Sequence, residues 1–225
     1  MPLISVITPA SRGVKYLSNL FRDLKNQTFR NFEHVCVFDG KVPDDVKVLV
    51  DQHKKLYPLK FHSISKDLGD MQRAPGTKAR NYGTSIAEGE YACYVDDDLR
   101  LRDDYLEVHI NGMGDKILSV IQAACAESRV YKDGKKDQFI VIPEIGLSTF
   151  PVICHIDTVS CLFPRKWILE DPWRYEPEHD FKLIKRIVEK HHPQVHIKNG
   201  IKADLDGLFT HGIRDWVSMP PFYRP

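Results

Sequence analysis

Asp96, Asp97 and Asp98 stand in a row directly after the apolar run 91–95. Carboxylates held this close repel one another by about 4 kcal/mol per pair at an effective dielectric of 20. A bound cation removes that cost, and an all-oxygen donor set suits Mg²⁺ or Mn²⁺. Such a cation completes its shell with water and substrate phosphates, so the cluster points to a nucleoside diphosphate. The same residues also read as a solvated loop leading to a helix capped at Asp103 or Asp104.

The elements that must position the cluster follow from hydrophobic spacing. Residues 3–8 are a short, mostly apolar run and read as a buried strand. Leu17, Leu20, Phe21 and Leu24 recur at helical spacing, and 33–38 form a second strand ending in Asp39-Gly40. Pro43-Asp44-Asp45 signals a helix start, with Val46, Leu49, Val50, Leu56 and Tyr57 on one face, before a third strand at 59–64. The turn-rich stretch 65–77 leads to a helix over about 78–87, and 91–95 is the fourth strand. Strand and helix alternate as in a parallel α/β sheet with crossover helices. Ligands bind such sheets at the carboxyl ends of the strands, where the aspartates emerge.

After Met113 the pattern changes. Runs 117–131 and 138–143, separated by Lys132-Asp133-Gly134-Lys135-Lys136, predict a hairpin and a mixed sheet. Residues 178–191 read as a helix with Phe181, Ile184, Ile187 and Val188 on one side, ended by Pro193. The tail beyond is expected to be irregular. No repeat or linker interrupts the chain, so one domain over 1–225 is expected.

The 225 residues are 42% hydrophobic and 28% charged, the balance of a globular chain with a continuous core. Lys plus Arg (32) nearly cancels Asp plus Glu (31), which leaves no long-range positive field for nucleic acid or an anionic membrane. No basic flank precedes a secretory apolar run, and no stretch reaches the length of a membrane span, so a soluble, cytoplasmic chain is expected. Cys36, Cys93, Cys125, Cys154 and Cys161 lack a Cys-x-x-Cys pair and read as buried thiols.

Six short segments, in order, resemble glycosyltransferase family 2 and its nucleotide-binding fold, GT-A. They are Ile4-Ser5-Val6-Ile7-Thr8-Pro9, Gln27-Thr28-Phe29, Val37-Phe38-Asp39-Gly40, Ala79-Arg80-Asn81-Tyr82-Gly83, Ala87-Glu88-Gly89-Glu90-Tyr91 and Val95-Asp96-Asp97-Asp98. The likeness covers 3–110, implying a nucleotide-binding half over 1–110 and an acceptor-binding half over 111–225. It implies a mostly parallel sheet flanked by helices, with mixed strands in the C-terminal half. It also implies a donor that is a nucleoside-diphosphate sugar, with UDP the commonest nucleotide, and a carbohydrate or other hydroxyl acceptor.

By the same resemblance Asp39 hydrogen-bonds the base and the backbone at Pro9 and Ala10 flanks its ring. An Asp-Gly turn alone would also explain Asp39. Asp96 faces the ribose or a metal-bound water, Asp97 takes the variable position, and Asp98 coordinates Mn²⁺ or Mg²⁺. Arg80 contacts the diphosphate or pairs with the aspartates, unless it is an exposed helical arginine. His179-Asp180 stands where the family has Glu-Asp, which makes Asp180 the general base and the reaction inverting. His211, in a Gly-flanked loop, is the candidate late metal ligand. His155 and Asp157 could line the acceptor site. Trp173 and Trp216 could stack on sugar, though tryptophan more often lies in a core.

Two other functions compete. A sugar-nucleotide nucleotidyltransferase would need a Gly-rich basic loop after the first strand, and Ala10-Ser11-Arg12-Gly13 is too short and glycine-poor. A non-catalytic nucleotide-sugar-binding module of a larger polypeptide would bind donor without turning it over.

Overall fold

The computed structural model describes residues 3–66, 74–130, 136–141 and 158–205, with the backbone alone over 122–130, 136–141 and 198–205. β1 (Ile4–Ala10), α1 (Val14–Lys25), β2 (Phe32–Asp39), α2 (Asp44–His53), β3 (Leu59–Ile64), α3 (Thr77–Ile86) and β4 (Tyr91–Tyr94) follow the expected alternation. Next come β5 (Leu99–Leu101), α4 (Tyr105–Ile110), β6 (Ile117–Val130), β7 (Lys136–Val141) and a single 3-10 turn at Thr158–Ser160. β8 (Cys161–Pro164), α5 (Arg165–Glu170), α6 (His179–His191) and β9 (Gln194–Leu205) complete the described chain.

The strands lie in the order β3-β2-β1-β4-β8-β6-β9-β5, with β7 beside β6. β1, β2, β3 and β4 are mutually parallel. β8 runs antiparallel to β4 and β6 antiparallel to β8, so the sheet turns mixed beyond β4 as expected. β6 and β7 pair antiparallel, as the hairpin reading requires. The chain steps from β1 to β2 on one side and later returns to place β4 on the other. That reversal is a switch point, which leaves a crevice at the carboxyl ends of the two strands.

Period-two alternation gives the sheet two apolar faces. Ile4, Val6 and Ala10 pack with Leu17, Leu20, Phe21 and Leu24 of α1, all essentially fully buried. Ile7, Val35 and Val37 face the other way, toward Ala79 of α3 and Leu183, Ile184 and Ile187 of α6. Burying each large apolar side chain contributes about 1.5–3 kcal/mol. That stripe holds α1, because its N-cap, Gly13, makes no side-chain cap hydrogen bond. On α2 the predicted Val46, Leu49 and Val50 are buried, while Leu56 is exposed because the helix ends at His53.

Much of the family-like sequence proves to be scaffold. Gln27 is fully buried; its Nε2 donates to the Arg102 carbonyl at 2.8 Å and its Oε1 accepts the Leu106 N–H at 3.0 Å. It thereby ties the end of α1 to the segment that follows the aspartates. Asn81 pairs with both the N–H and the carbonyl of Trp173, at 3.0 and 2.9 Å. Gly83 lets α3 sit on β1, where an added Cβ would lie 2.6 Å from Ile7 Cγ2. At the foot of β4, Glu33 Oε1 accepts the Glu88 and Gly89 N–H groups and the Ser5 hydroxyl.

One expectation fails. The tail after Pro193 is a strand, β9, parallel to β6. Asn199-Gly200 looks like a turn, but the pairing skips from Ile121↔Lys198 to Gln122↔Ile201, so those residues form an irregularity in a continuing ladder. Asp103 and Asp104 do precede α4, yet Asp104 makes no side-chain cap hydrogen bond.

Candidate active site

At the switch point the structure has a cleft of about 820 Å³. Pro9 and Ala10 enter it from the end of β1, Asp39 from β2, Arg80 from α3, Asp96 and Asp97 from the end of β4, and Asp180 from the start of α6. Five separate segments are brought together. Asp98 is tied to the cleft through Arg12, which lines it and is ion-paired with the Asp98 carboxylate. His211, His155, Asp157 and Trp216 lie outside the described residues.

Asp39 stands at a turn that also opens onto the cleft. Gly40 has φ 100°, in the left-handed region that favours glycine, and its N–H donates to Ile64 carbonyl at 3.0 Å. The turn is real, and it delivers Asp39 to the cleft wall beside Lys41 and Lys66.

Each aspartate of the run has its own partner in the protein. Asp96 Oδ1 accepts from Arg80 Nη2 at 2.7 Å. Asp97 turns inward: its Oδ2 accepts the backbone N–H of Ser11 at 2.8 Å and of Arg12 at 2.9 Å. Asp98 has the Arg12 guanidinium. Burial raises the Asp97 pKa above the usual carboxylate range; the two N–H donors and Arg12 oppose this, and Asp96 adds to it. Asp97, in the variable position, is therefore an anchor for the β1–α1 loop. The repulsion that suggested a cation is met by the protein's own donors.

Arg80 is only 3% exposed, which excludes a free surface arginine. Its Nη1 donates to the Pro75 carbonyl at 2.7 Å and lies 3.3 Å from His179 Nε2, and its guanidinium carbon sits 4.9 Å from the Trp173 ring centre. Trp173 is 3% exposed, so it is core and cation support, and sugar stacking by it is ruled out. Burial, then the Arg80 charge, lowers the His179 pKa against the pull of Asp180, Asp96 and Glu176. Glu178, immediately before α6, has φ 57°, an uncommon backbone state for a side-chain-bearing residue.

Sequence reasoning missed Arg12 and the contact of His179 with Arg80. The signal for Arg12 was present: it is the first cation after β1, and β1 is the strand that neighbours the aspartates. Nothing in the spacing of residues 80 and 179 could show that they touch.

Among the described residues no group of three His, Cys, Asp or Glu side chains could hold a metal ion by itself. A cation arriving with a diphosphate would take most of its shell from phosphate and water oxygens, as Mg²⁺ and Mn²⁺ commonly do. Among the described residues no helix is long and apolar enough to cross a membrane.

Solved structures share this fold. TarS of Staphylococcus aureus, in complex with UDP, superposes with a TM-score of 0.67 at 18% identity, over 90% of this chain and 60% of that one. The mannosyltransferase PcManGT of Pyrobaculum calidifontis, in complex with GDP-Man and Mn²⁺, gives 0.65 at 13% identity, over 90% and 56%. The architecture is GT-A. In sequence the chain is 28% identical to an uncharacterised glycosyltransferase of Haemophilus influenzae, over 50% of this chain and 43% of that protein. It is 26% identical to the glycosyltransferase GlyG of Streptococcus pneumoniae, over 53% of this chain and 38% of that protein. The chain thus spans less than half the length of these two relatives. The sequence model of Glycosyl transferase family 2 matches residues 5–170, most of the chain, and the protein belongs to that family.

Proposed function

We propose that this glycosyltransferase moves a sugar from a nucleoside-diphosphate donor, UDP-linked in the simplest case, to a hydroxyl acceptor, with a divalent cation and with inversion at the anomeric carbon. The observation that carries the reading is the convergence of Asp39, Arg80, Asp96 and Asp180 on one cleft of about 820 Å³. That volume suits a nucleotide sugar.

Asp39 is a hydrogen-bond acceptor, so it selects a base that presents an imide-type N–H, as uracil, thymine and guanine do. The neighbours favour the same set: TarS was solved with UDP and PcManGT with GDP-Man. The Asp180 carboxylate takes the proton of the acceptor hydroxyl. The acceptor oxygen then bonds to the anomeric carbon from the face opposite the diphosphate, and the bond from that carbon to the leaving oxygen breaks with its electron pair on the diphosphate. The cation, when bound, neutralises charge on that leaving group. Arg80, buried and fixed by Pro75 and Trp173, supplies permanent positive charge at the same end of the cleft.

The test is turnover of a panel of nucleotide sugars by the isolated chain, with and without Mn²⁺, beside thermal shifts with the matching diphosphates. Asp180→Asn is expected to lower turnover about 10²- to 10⁴-fold, the usual worth of a positioned base, while diphosphate binding stays intact. Tight donor binding with no turnover by the wild type would instead favour a non-catalytic binding module.

A further inference from the structure

Arg80 joins two parts of the cleft that come from distant sequence. One nitrogen, Nη2, donates to Asp96 at the end of β4. The other, Nη1, points to the Pro75 carbonyl and to His179 Nε2, 3.3 Å away at the first position of α6. A guanidinium is a donor at every nitrogen, so this contact is a hydrogen bond only when His179 Nε2 is an unprotonated acceptor. His179 is thus required as the neutral tautomer with its proton on Nδ1. The residue after it is Asp180.

We propose that His179 is a positioning residue, a neutral acceptor that latches the Arg80 guanidinium and so couples the base-bearing end of α6 to the donor-side carboxylate Asp96. The inference rests on the transferase reading given above. Without the latch Arg80 keeps Asp96 but loses its tie to α6, and the two halves of the cleft are no longer held in one register. Protonation breaks the latch in the same way, because an imidazolium cannot accept and is repelled by the guanidinium. The groups facing His179 are Arg80 from α3, Asp96 beyond β4, Glu176 in the segment before α6, and Asp180 on α6 itself. Burial and Arg80 outweigh the three carboxylates and keep the ring neutral at neutral pH. A glutamine side chain keeps a neutral oxygen acceptor that does not protonate in this range.

The experiment compares donor KM, kcat and their pH profiles for the wild type, His179→Ala and His179→Gln, with circular dichroism confirming the fold. Alanine is expected to raise donor KM about tenfold, the size of one lost charge-assisted hydrogen bond. Glutamine is expected to recover most of that loss and to remove the part of the acid limb that belongs to the imidazole. The latch is overturned if alanine leaves donor KM within twofold of wild type, or if the acid limb of the glutamine variant is unchanged. Should the alanine variant not fold, the pH profile of the glutamine variant decides alone. Asp180→Asn in the same assay separates the two claims: full activity there refutes the base assignment, whereas its loss beside an unaffected His179→Ala refutes the latch only.

Discussion

Oδ2 of Asp97 accepts the backbone N–H of Ser11 at 2.8 Å, linking the end of β4 to the loop after β1 across 86 positions of sequence. Arg12 N–H shares the same oxygen at 2.9 Å, and Asp97 is only 3% exposed. Asp97→Ala leaves two N–H groups without their acceptor, each costing about 1–3 kcal/mol where it stays dry. It is expected to lower unfolding free energy by about 2–4 kcal/mol and to raise donor KM. Asp97→Asn keeps one oxygen in place and is expected to lose less of both. Urea unfolding and donor KM measured on the two variants decide; an unchanged KM in the alanine variant would mean that the loop holds its position without Asp97.

The strands that build the switch point were legible in sequence, because each is a short apolar run ended by Pro, Asp or Gly. β3 matched its expected span of 59–64, and β1 and β2 grew by one or two residues where pairing extends past the apolar run. β9 was not legible, since Asn199-Gly200 breaks its alternation and the ladder that absorbs the break belongs to β6. In the site, the residues that line the cleft were readable while their partners were not. Asp97 binds backbone N–H groups, which carry no residue identity, and His179 meets Arg80 only through the docking of α6 on α3. One cue was overlooked: consecutive side chains on extended chain alternate in direction, so three adjacent aspartates could not all face the donor.

Gly89 separates tight packing that can yield from packing that cannot. A Cβ there would lie 2.6 Å from the Ser5 backbone nitrogen and 2.8 Å from the Ile4 carbonyl carbon, both fixed in β1. At Gly83 the nearest atom is the Cγ2 methyl of Ile7, 2.6 Å away, a side-chain group of the core and not strand backbone. Gly89→Ala is expected to cost more than the usual 1–3 kcal/mol of overpacking and to give little soluble protein, with Gly83→Ala inside that range. Denaturation midpoints of the two variants test the order; a Gly89→Ala protein as stable as Gly83→Ala would refute it.

His34 makes folding sensitive to acid. The ring is fully buried between Thr8 Oγ1 at 2.9 Å and the Tyr57 hydroxyl at 3.2 Å. Burial, and secondarily His53, pushes its pKa from 6.5 down to about 3. Between these values the unfolded chain binds a proton that the folded chain does not, so this contribution is complete above pH 6.5 and is lost as pH falls toward 3. A shift of that size corresponds to on the order of 5 kcal/mol. His34→Gln is expected to be less stable at pH 7 yet to show a shallower decline between pH 6.5 and 4. Urea unfolding across that range checks it, and parallel slopes for the two proteins would count against His34 as the source.

The Arg12–Asp98 ion pair bears on the metal requirement. The Asp98 side chain is 10% exposed and already neutralised, while the Arg12 side chain is half-exposed at 51% and can leave. A divalent cation that uses Asp98 must displace the guanidinium, so cation and Arg12 compete for one carboxylate. Asp98→Ala is therefore expected to reduce turnover at least about 100-fold and to make the residue of activity indifferent to added Mn²⁺, since the charge stabilisation of the leaving diphosphate goes with the ligand. Arg12→Ala is expected to lower the Mn²⁺ concentration needed for half-maximal activity, because nothing then competes. Titrating Mn²⁺ into chelator-treated protein reads both effects. Full transfer by Asp98→Ala removes the metal assignment, and a higher Mn²⁺ requirement in Arg12→Ala would show instead that the freed guanidinium helps to hold the diphosphate once the cation has taken its place.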